Sequence, residues 1–73
     1  MNEPELLNAT ATALYGPLWQ NALARALEVD ARTMRRWATG ELPIPIGVWN
    51  DISEIIADRV TELRDLRKTL PRH

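Results

Sequence analysis

Four arginines between positions 25 and 37 are the residues of this sequence whose type and spacing best suit a defined chemistry. They are Arg25, Arg32, Arg35 and Arg36, and no other basic residue precedes position 59. The guanidinium group stays charged at physiological pH, and its planar fork of five N–H donors fits a phosphate group or the edge of a guanine. The cluster therefore indicates recognition of an anion.

The arginines lie on a stretch whose apolar residues are spaced for two short helices joined by a tight turn. Residues 20–37 read QNALARALEVDARTMRRW. Residues three or four apart share one face of a helix, and a small residue is needed where two helices approach closely at a steep angle. The positions predicted to lie between the two helices are Leu23, Ala24, Leu27, Val29, Met34 and Trp37. This pattern leaves the arginines of the second helix on its opposite, exposed side.

The net charge of −1 argues mildly against nucleic acid, because nucleic-acid-binding domains are usually basic. The charge is nevertheless distributed in blocks. Residues 1–24 and 38–58 contain acidic residues and no basic ones, whereas residues 25–37 contain the four arginines and two acidic residues. Residues 59–73 contain five basic and two acidic residues. The positive charge of the first 58 residues is therefore concentrated in the arginine cluster.

Length and composition exclude several classes of protein. A chain of 73 residues forms one small domain, taken here to span 1–73, and such a domain has a limited core. The absence of cysteine excludes disulfides and thiolate metal sites. No apolar run approaches the ~20 residues that span a bilayer, and the acidic start MNEPELL lacks the order of a signal peptide. We expect a cytoplasmic protein without a membrane partner.

Capping signals divide the chain into four helices, or five if the last is broken. Asn2 and Asp30 are suited to N-cap positions, and Gly16 and Gly40 to left-handed C-cap positions. Pro17 is preorganised for the first turn of the second helix. The predicted helices span about 3–15, 17–27, 31–39 and 47–69. There is no alternating β-branched run and no hairpin turn, so the predicted fold is all-α with a long C-terminal helix.

The stretch LARALEVDARTMRRWATG resembles the helix-turn-helix of the Cro/lambda-repressor-like (XRE) family of bacterial and phage regulators. The resemblance implies a lambda-repressor-like domain with the motif at about 20–39, its second helix lying in the major groove of double-stranded DNA. The residues that would face DNA are then Gln20, Asn21, Ala31, Arg32, Arg35, Arg36 and Thr39. The sequence departs from the family at Glu28, where glycine is common at the turn.

The roles of the arginines stay open at this point. Arg32 and Arg36 are favoured for base contacts, and Arg35 is shared between bases and backbone. Arg25, on the first helix of the motif, is either a further phosphate contact or an ordinary surface residue. The arginine-bearing side of the second helix could also be the solvated side of an amphipathic helix, but no acidic partner lies four residues away within the same helix.

The C-terminal helix carries a heptad-like apolar repeat. Trp49, Ile56, Leu63 and Leu70 recur every seven residues, and a second set, offset by three, is interrupted by a charge at Arg59. We expect the core to cover this face as far as Val60. The residues beyond it are predicted to form a homodimer interface: Leu63, Leu66 and Leu70.

Other potential sites are weaker. The three tryptophans lie on apolar faces, which favours core anchoring over base stacking. Asp51, Glu54 and Asp58 suit a solvated acidic face better than a metal site. With one serine and a single histidine at position 73, the sequence offers no catalytic constellation, and we expect neither an enzyme nor a cofactor.

Two functions are compatible with these features. The first is a dimeric, sequence-specific DNA-binding regulator, expected to be a repressor that autoregulates its own operon. Phage repressors, antitoxins and anti-CRISPR-associated regulators all fit that description. The alternative is a protein-interaction module on the same scaffold, such as an antitoxin or phage inhibitor that binds a partner protein through the acidic and apolar C-terminal helix.

Overall fold

The computed structural model describes residues 1–71 as an all-helical chain. Its four helices are α1 (Glu3–Tyr15), α2 (Trp19–Leu27), α3 (Ala31–Thr39) and α4 (Ile46–Thr69). The described residues contain no β-strand, and α4 runs without interruption. The all-α prediction is confirmed, with four helices rather than five. Within the same residues, no helix is long and apolar enough to cross a membrane.

Helix α1 has the predicted bounds because both of its ends are defined locally. The Asn2 Oδ1 accepts from the Glu5 backbone N–H at 2.8 Å, and the Asn2 amide donates to Glu5 Oε1 at 3.2 Å. At the other end the Gly16 N–H donates to the Thr12 carbonyl. Gly16 has φ 87° and ψ −171°, so the predicted left-handed C-cap is wrong in detail. This conformation is open essentially to glycine alone.

Helix α2 begins two residues later than predicted, at Trp19. Pro17 and Leu18 form a turn, and Leu18, with φ −99° and ψ 43°, provides no side-chain cap. Trp19 is buried, and its Nε1 donates to Asn8 Oδ1 at 2.9 Å. This contact ties the start of α2 to α1, and the preceding Leu18 is left exposed.

The turn between α2 and α3 is closed by a non-glycine residue in the left-handed region. Glu28 has φ 57° and ψ 41°, which costs roughly 1–2 kcal/mol for an L-residue. The Val29 N–H then donates to the Ala24 carbonyl at 2.9 Å, which returns the chain against α2. Asp30 caps α3 as predicted, its Oδ1 accepting from the Thr33 N–H at 2.6 Å.

The hydrophobic core lies between α1, α2 and α3. It is closed by one residue from the α3–α4 loop and one from α4. Its buried members are Leu7, Ala11, Trp19, Leu23, Ala24, Met34, Trp37, Ile44 and Ile52. Four of the six positions predicted to be buried between the helices of the arginine stretch belong to this core. Leu27 and Val29 are only partly buried, because they pack at its margin.

Helix α4 extends well beyond this core. Its 24 residues reach about 36 Å, whereas the 13 residues of α1 reach about 20 Å. The core therefore covers α4 less far than expected: Ile52 is buried, but Ile56 and Val60 are 38% and 46% exposed. Past Val60, every described residue of α4 is exposed. We call residues 60–70 the overhang.

Candidate nucleic-acid interface

The packing of α3 decides which of its side chains remain available. Met34 and Trp37 are buried against α2 and the rest of the core, which fixes the rotation of the helix about its axis. The face of α3 opposite these two residues is polar, because residues three, four and seven apart share one face of a helix. It carries Arg32, Arg35, Arg36 and Thr39, which line one shallow concavity together with Glu41. We call these five residues the arginine face.

The sequence suggested that Arg36 has no acidic partner, but in the structure it is paired with one. Its Nε donates to Glu41 Oε2 at 3.1 Å, and its side chain is 39% exposed. Among residues 1–71 this is the only ion pair. Helical spacing within α3 does not predict Glu41 as the acidic partner, because this residue follows the C-cap of the helix.

The loop that carries Glu41 is fixed against the end of α3. Gly40 adopts the left-handed C-cap predicted for it, with φ 82° and ψ 5°, and its N–H donates to the Trp37 carbonyl at 3.2 Å. A Cβ at Gly40 would also meet Pro4 at 3.2 Å. The Leu42 N–H then donates to the Arg36 carbonyl at 3.1 Å. In the sequence, only Gly40 directly after α3 indicates that the chain turns back towards Arg36.

Asp30 contributes the nearest negative charge at the other end of α3. Hydrogen bonding from Thr33, chiefly its backbone N–H, lowers the pKa of this carboxyl below its usual range, and the charges of Arg32 and Arg35 act in the same direction. An anionic side chain at a helix N-terminus is also favoured by the helix dipole. Asp30 is therefore a structural cap whose charge is already engaged by α3.

The remaining predicted contact residues are exposed but do not all converge. Gln20 and Asn21 line a second shallow concavity with Pro17 and Leu18, at the start of α2. Arg25 and Ala31 are exposed outside both concavities. Thr39 lies on the arginine face, and its hydroxyl donates to the Arg36 carbonyl at 3.3 Å.

This arrangement can bind anions through side chains whose charge is fixed. Three guanidinium groups on one helix offer donors for phosphate oxygens and for the O6 and N7 atoms of guanine. Ala31, at the start of α3, lets the helix approach a surface closely. The geometry is that of a binding face rather than of an enclosed site.

A second surface lies on the overhang. The three leucines predicted to form a dimer interface are exposed by 57%, 52% and 62%: Leu63, Leu66 and Leu70. Their spacing continues the face on which Ile52 packs in the core and Arg59 contacts the end of α1. An apolar groove between α1 and α4 adjoins this face and is lined by Leu6, Thr10, Trp49, Ile52, Ser53 and Ile56.

Other chemistry is not brought together by the fold. Within residues 1–71 no three His, Cys, Asp or Glu side chains are placed to hold a metal ion. Trp19 and Trp37 are buried, so neither ring is available for stacking on a base. The single histidine, His73, lies outside the described residues.

Comparison of the chain with protein-family models, curated proteins and solved structures finds no match.

Proposed function

We propose that this chain is a sequence-specific DNA-binding regulator with a lambda-repressor-like (XRE) helix-turn-helix formed by α2 and α3. One observation carries the proposal: three arginines share an exposed face of α3, and the other face of that helix is locked into the core through Met34 and Trp37. A helix held in this way can present its side chains to a groove without reorganising.

The DNA contacts follow from the position of each side chain. The α3 helix enters the major groove, which admits one α-helix, and its arginines contact guanines and phosphates. A bidentate arginine–guanine pair contributes about 1–3 kcal/mol of discrimination against the wrong base. Gln20 and Asn21, exposed at the start of α2, donate to the phosphate backbone, and Arg25 is available for a further phosphate.

The proposed assembly is a homodimer joined through the overhang. The exposed leucines there continue the face of α4 that covers the core, so a second copy can bury them in the same manner. Large exposed apolar patches mark interaction sites in soluble domains. A two-fold dimer would match two half-sites about 34 Å apart. We propose that the bound dimer represses by occluding a promoter, and that its own operon is the target.

The test is a titration of the purified protein with duplex DNA from upstream of its own gene, at several salt concentrations and with competitor DNA. We expect specific binding that weakens steeply as salt rises, because arginine contacts release counterions. A variant with Arg32, Arg35 and Arg36 all replaced by alanine should lose this binding.

The matched control instead replaces three basic residues of the overhang with alanine: Arg64, Arg67 and Lys68. It removes the same charge from the exposed end of α4 and should retain the specific complex. Absence of specific binding by the wild type, or equal losses in the two triple variants, would overturn the proposal.

The alternative function is a protein-interaction module, and the groove between α1 and α4 favours it. Leu6 and Ile56 are exposed in this groove, and the Nε1 of Trp49, which also lines it, donates to Glu3 Oε2 at 3.0 Å. The acidic residues Asp51 and Glu54 are exposed on another face of α4. A partner protein with an apolar segment would fit the groove. Replacing Ile56 with glutamate distinguishes the functions, because it would abolish partner capture and leave the arginine face intact.

A further inference from the structure

The contact between Arg36 and Glu41 distinguishes one arginine of the face from the other two. The bond uses the Nε–H of Arg36, so the two Nη groups keep their four N–H donors. Among residues 1–71, Arg32 and Arg35 have no carboxylate within ion-pair distance. The three arginines therefore differ in conformational freedom, although they are identical in charge.

The position of Glu41 is set by backbone contacts on both sides. Gly40 bonds to the Trp37 carbonyl, and Leu42 bonds to the Arg36 carbonyl at 3.1 Å. The backbone of Glu41 is thus held relative to α3, and its carboxylate is tied to α3 through the hydrogen bond from Arg36. A guanidinium held at Nε presents its terminal Nη edge in a defined orientation, and this edge matches guanine O6 and N7 bidentately.

We propose that Glu41 is a positioning residue that dedicates Arg36 to reading a guanine and leaves Arg32 and Arg35 to contact phosphate. The proposal rests on the proposed DNA binding and adds a division of roles within the arginine face. Glu41 acts through Arg36, and its own carboxylate accepts from protein rather than from a base.

The charge of Glu41 has a second consequence. In a non-specific complex Arg36 would turn towards a phosphate, and the carboxylate beside it would repel that phosphate. In the specific complex Arg36 stays on Glu41 and reaches a base, so the repulsion is smaller. Glu41 therefore lowers affinity for arbitrary DNA more than it lowers affinity for the correct site, and specificity is the difference between the two.

The test is selection from a randomised duplex library, followed by sequencing, for the wild type and for three variants. Arg36→Ala identifies the base pair whose guanine preference depends on Arg36. Glu41→Ala should lower the preference at that same base pair about 3- to 10-fold, a part of the discrimination that one bidentate pair provides. It should also bind non-specific duplex more tightly. Glu41→Gln, which keeps an acceptor oxygen, should retain most of the guanine preference.

The matched control is Glu62→Ala, which removes one exposed negative charge from α4. It should leave the guanine preference unchanged and raise non-specific affinity less than Glu41→Ala does. An unchanged preference in Glu41→Ala would overturn the inference. So would a change at a base pair other than the one identified by Arg36→Ala, since Glu41 would then contact a base itself. If the wild type enriches no sequence, the DNA-binding function itself fails, and this inference fails with it.

Discussion

The Nη1 of Arg59 donates a hydrogen bond to the Leu14 carbonyl oxygen across 2.9 Å, which joins the middle of α4 to the last turn of α1. The guanidinium also lies 5.7 Å from the centroid of the Tyr15 ring. The last carbonyls of a helix have no partner within the helix, and a cation is favoured at that end. The one charge in the apolar repeat of α4 is therefore a structural contact, placed where the core ends and the overhang begins.

Replacing Arg59 with alanine should lower the free energy of unfolding by about 1–2 kcal/mol. The variant loses a charged hydrogen bond and an arginine–aromatic contact, both partly shielded from water. Urea denaturation measures the change. The exposed Arg64 provides the comparison: Arg64→Ala should alter stability by no more than about 0.5 kcal/mol. Equal effects of the two substitutions would show that the contact with α1 does not stabilise the fold.

Replacing Glu28 with glycine should stabilise the protein by up to about 1 kcal/mol. Glycine removes the strain of φ 57° at the α2–α3 turn, and the greater chain entropy of unfolded glycine offsets part of the gain. Glu28→Ala removes the same charge without relieving the backbone, so it should bring no comparable gain. The difference between the two midpoints of urea unfolding is the measurement. A midpoint for glycine at or below that of alanine would contradict the strain argument.

Asp30 should make stability depend on pH in the acidic range. Because its pKa is lowered in the folded protein, the unfolded chain binds the proton more readily, and the stabilisation rises with pH between the two pKa values. The contribution is complete above the ordinary aspartate pKa of about 3.9 and is lost as pH falls through the folded value.

Comparison of the wild type with Asp30→Asn, by urea unfolding at a series of pH values, tests this effect. Asparagine keeps the capping oxygen for the Thr33 amide but cannot ionise. The advantage of the wild type should be present at neutral pH and shrink on acidification. An advantage that stays constant down to pH 2 would exclude titration of Asp30 as its source.

Replacing Leu66 with glutamate should convert the proposed dimer to a monomer without unfolding it. The side chain is 52% exposed, so the charge meets water in the monomer and is buried only at the interface. Loss of bivalent binding should then weaken binding to a paired DNA site by about 100-fold. Sedimentation measures the mass, and Thr61→Glu, on the exposed overhang away from the leucines, is the control. A wild type that sediments as a monomer at all concentrations would contradict the dimer.

The helices could be predicted from the sequence because their ends are set by contacts between residues close together in the chain. The N-terminal bounds of α1 and α3 follow from Asn2 and Asp30, each of which caps an N–H three residues ahead. Their C-terminal bounds follow from Gly16 and Gly40, which come directly after the two helices. The apolar face of α3 followed in the same way from Met34 and Trp37. Periodicity and caps are local, so one sequence suffices to read them.

Contacts between elements were decided only by the tertiary structure. The sequence indicated three arginines on one side of α3 and no acidic partner within that helix. The return of the chain after Gly40 places a carboxylate on one of them. Likewise α2 begins at Trp19 because this residue packs on α1, and Arg59 finds its acceptor 45 residues earlier in the chain. Sequence spacing specifies which residues share a helix face, but the partner that each residue meets depends on how the helices pack.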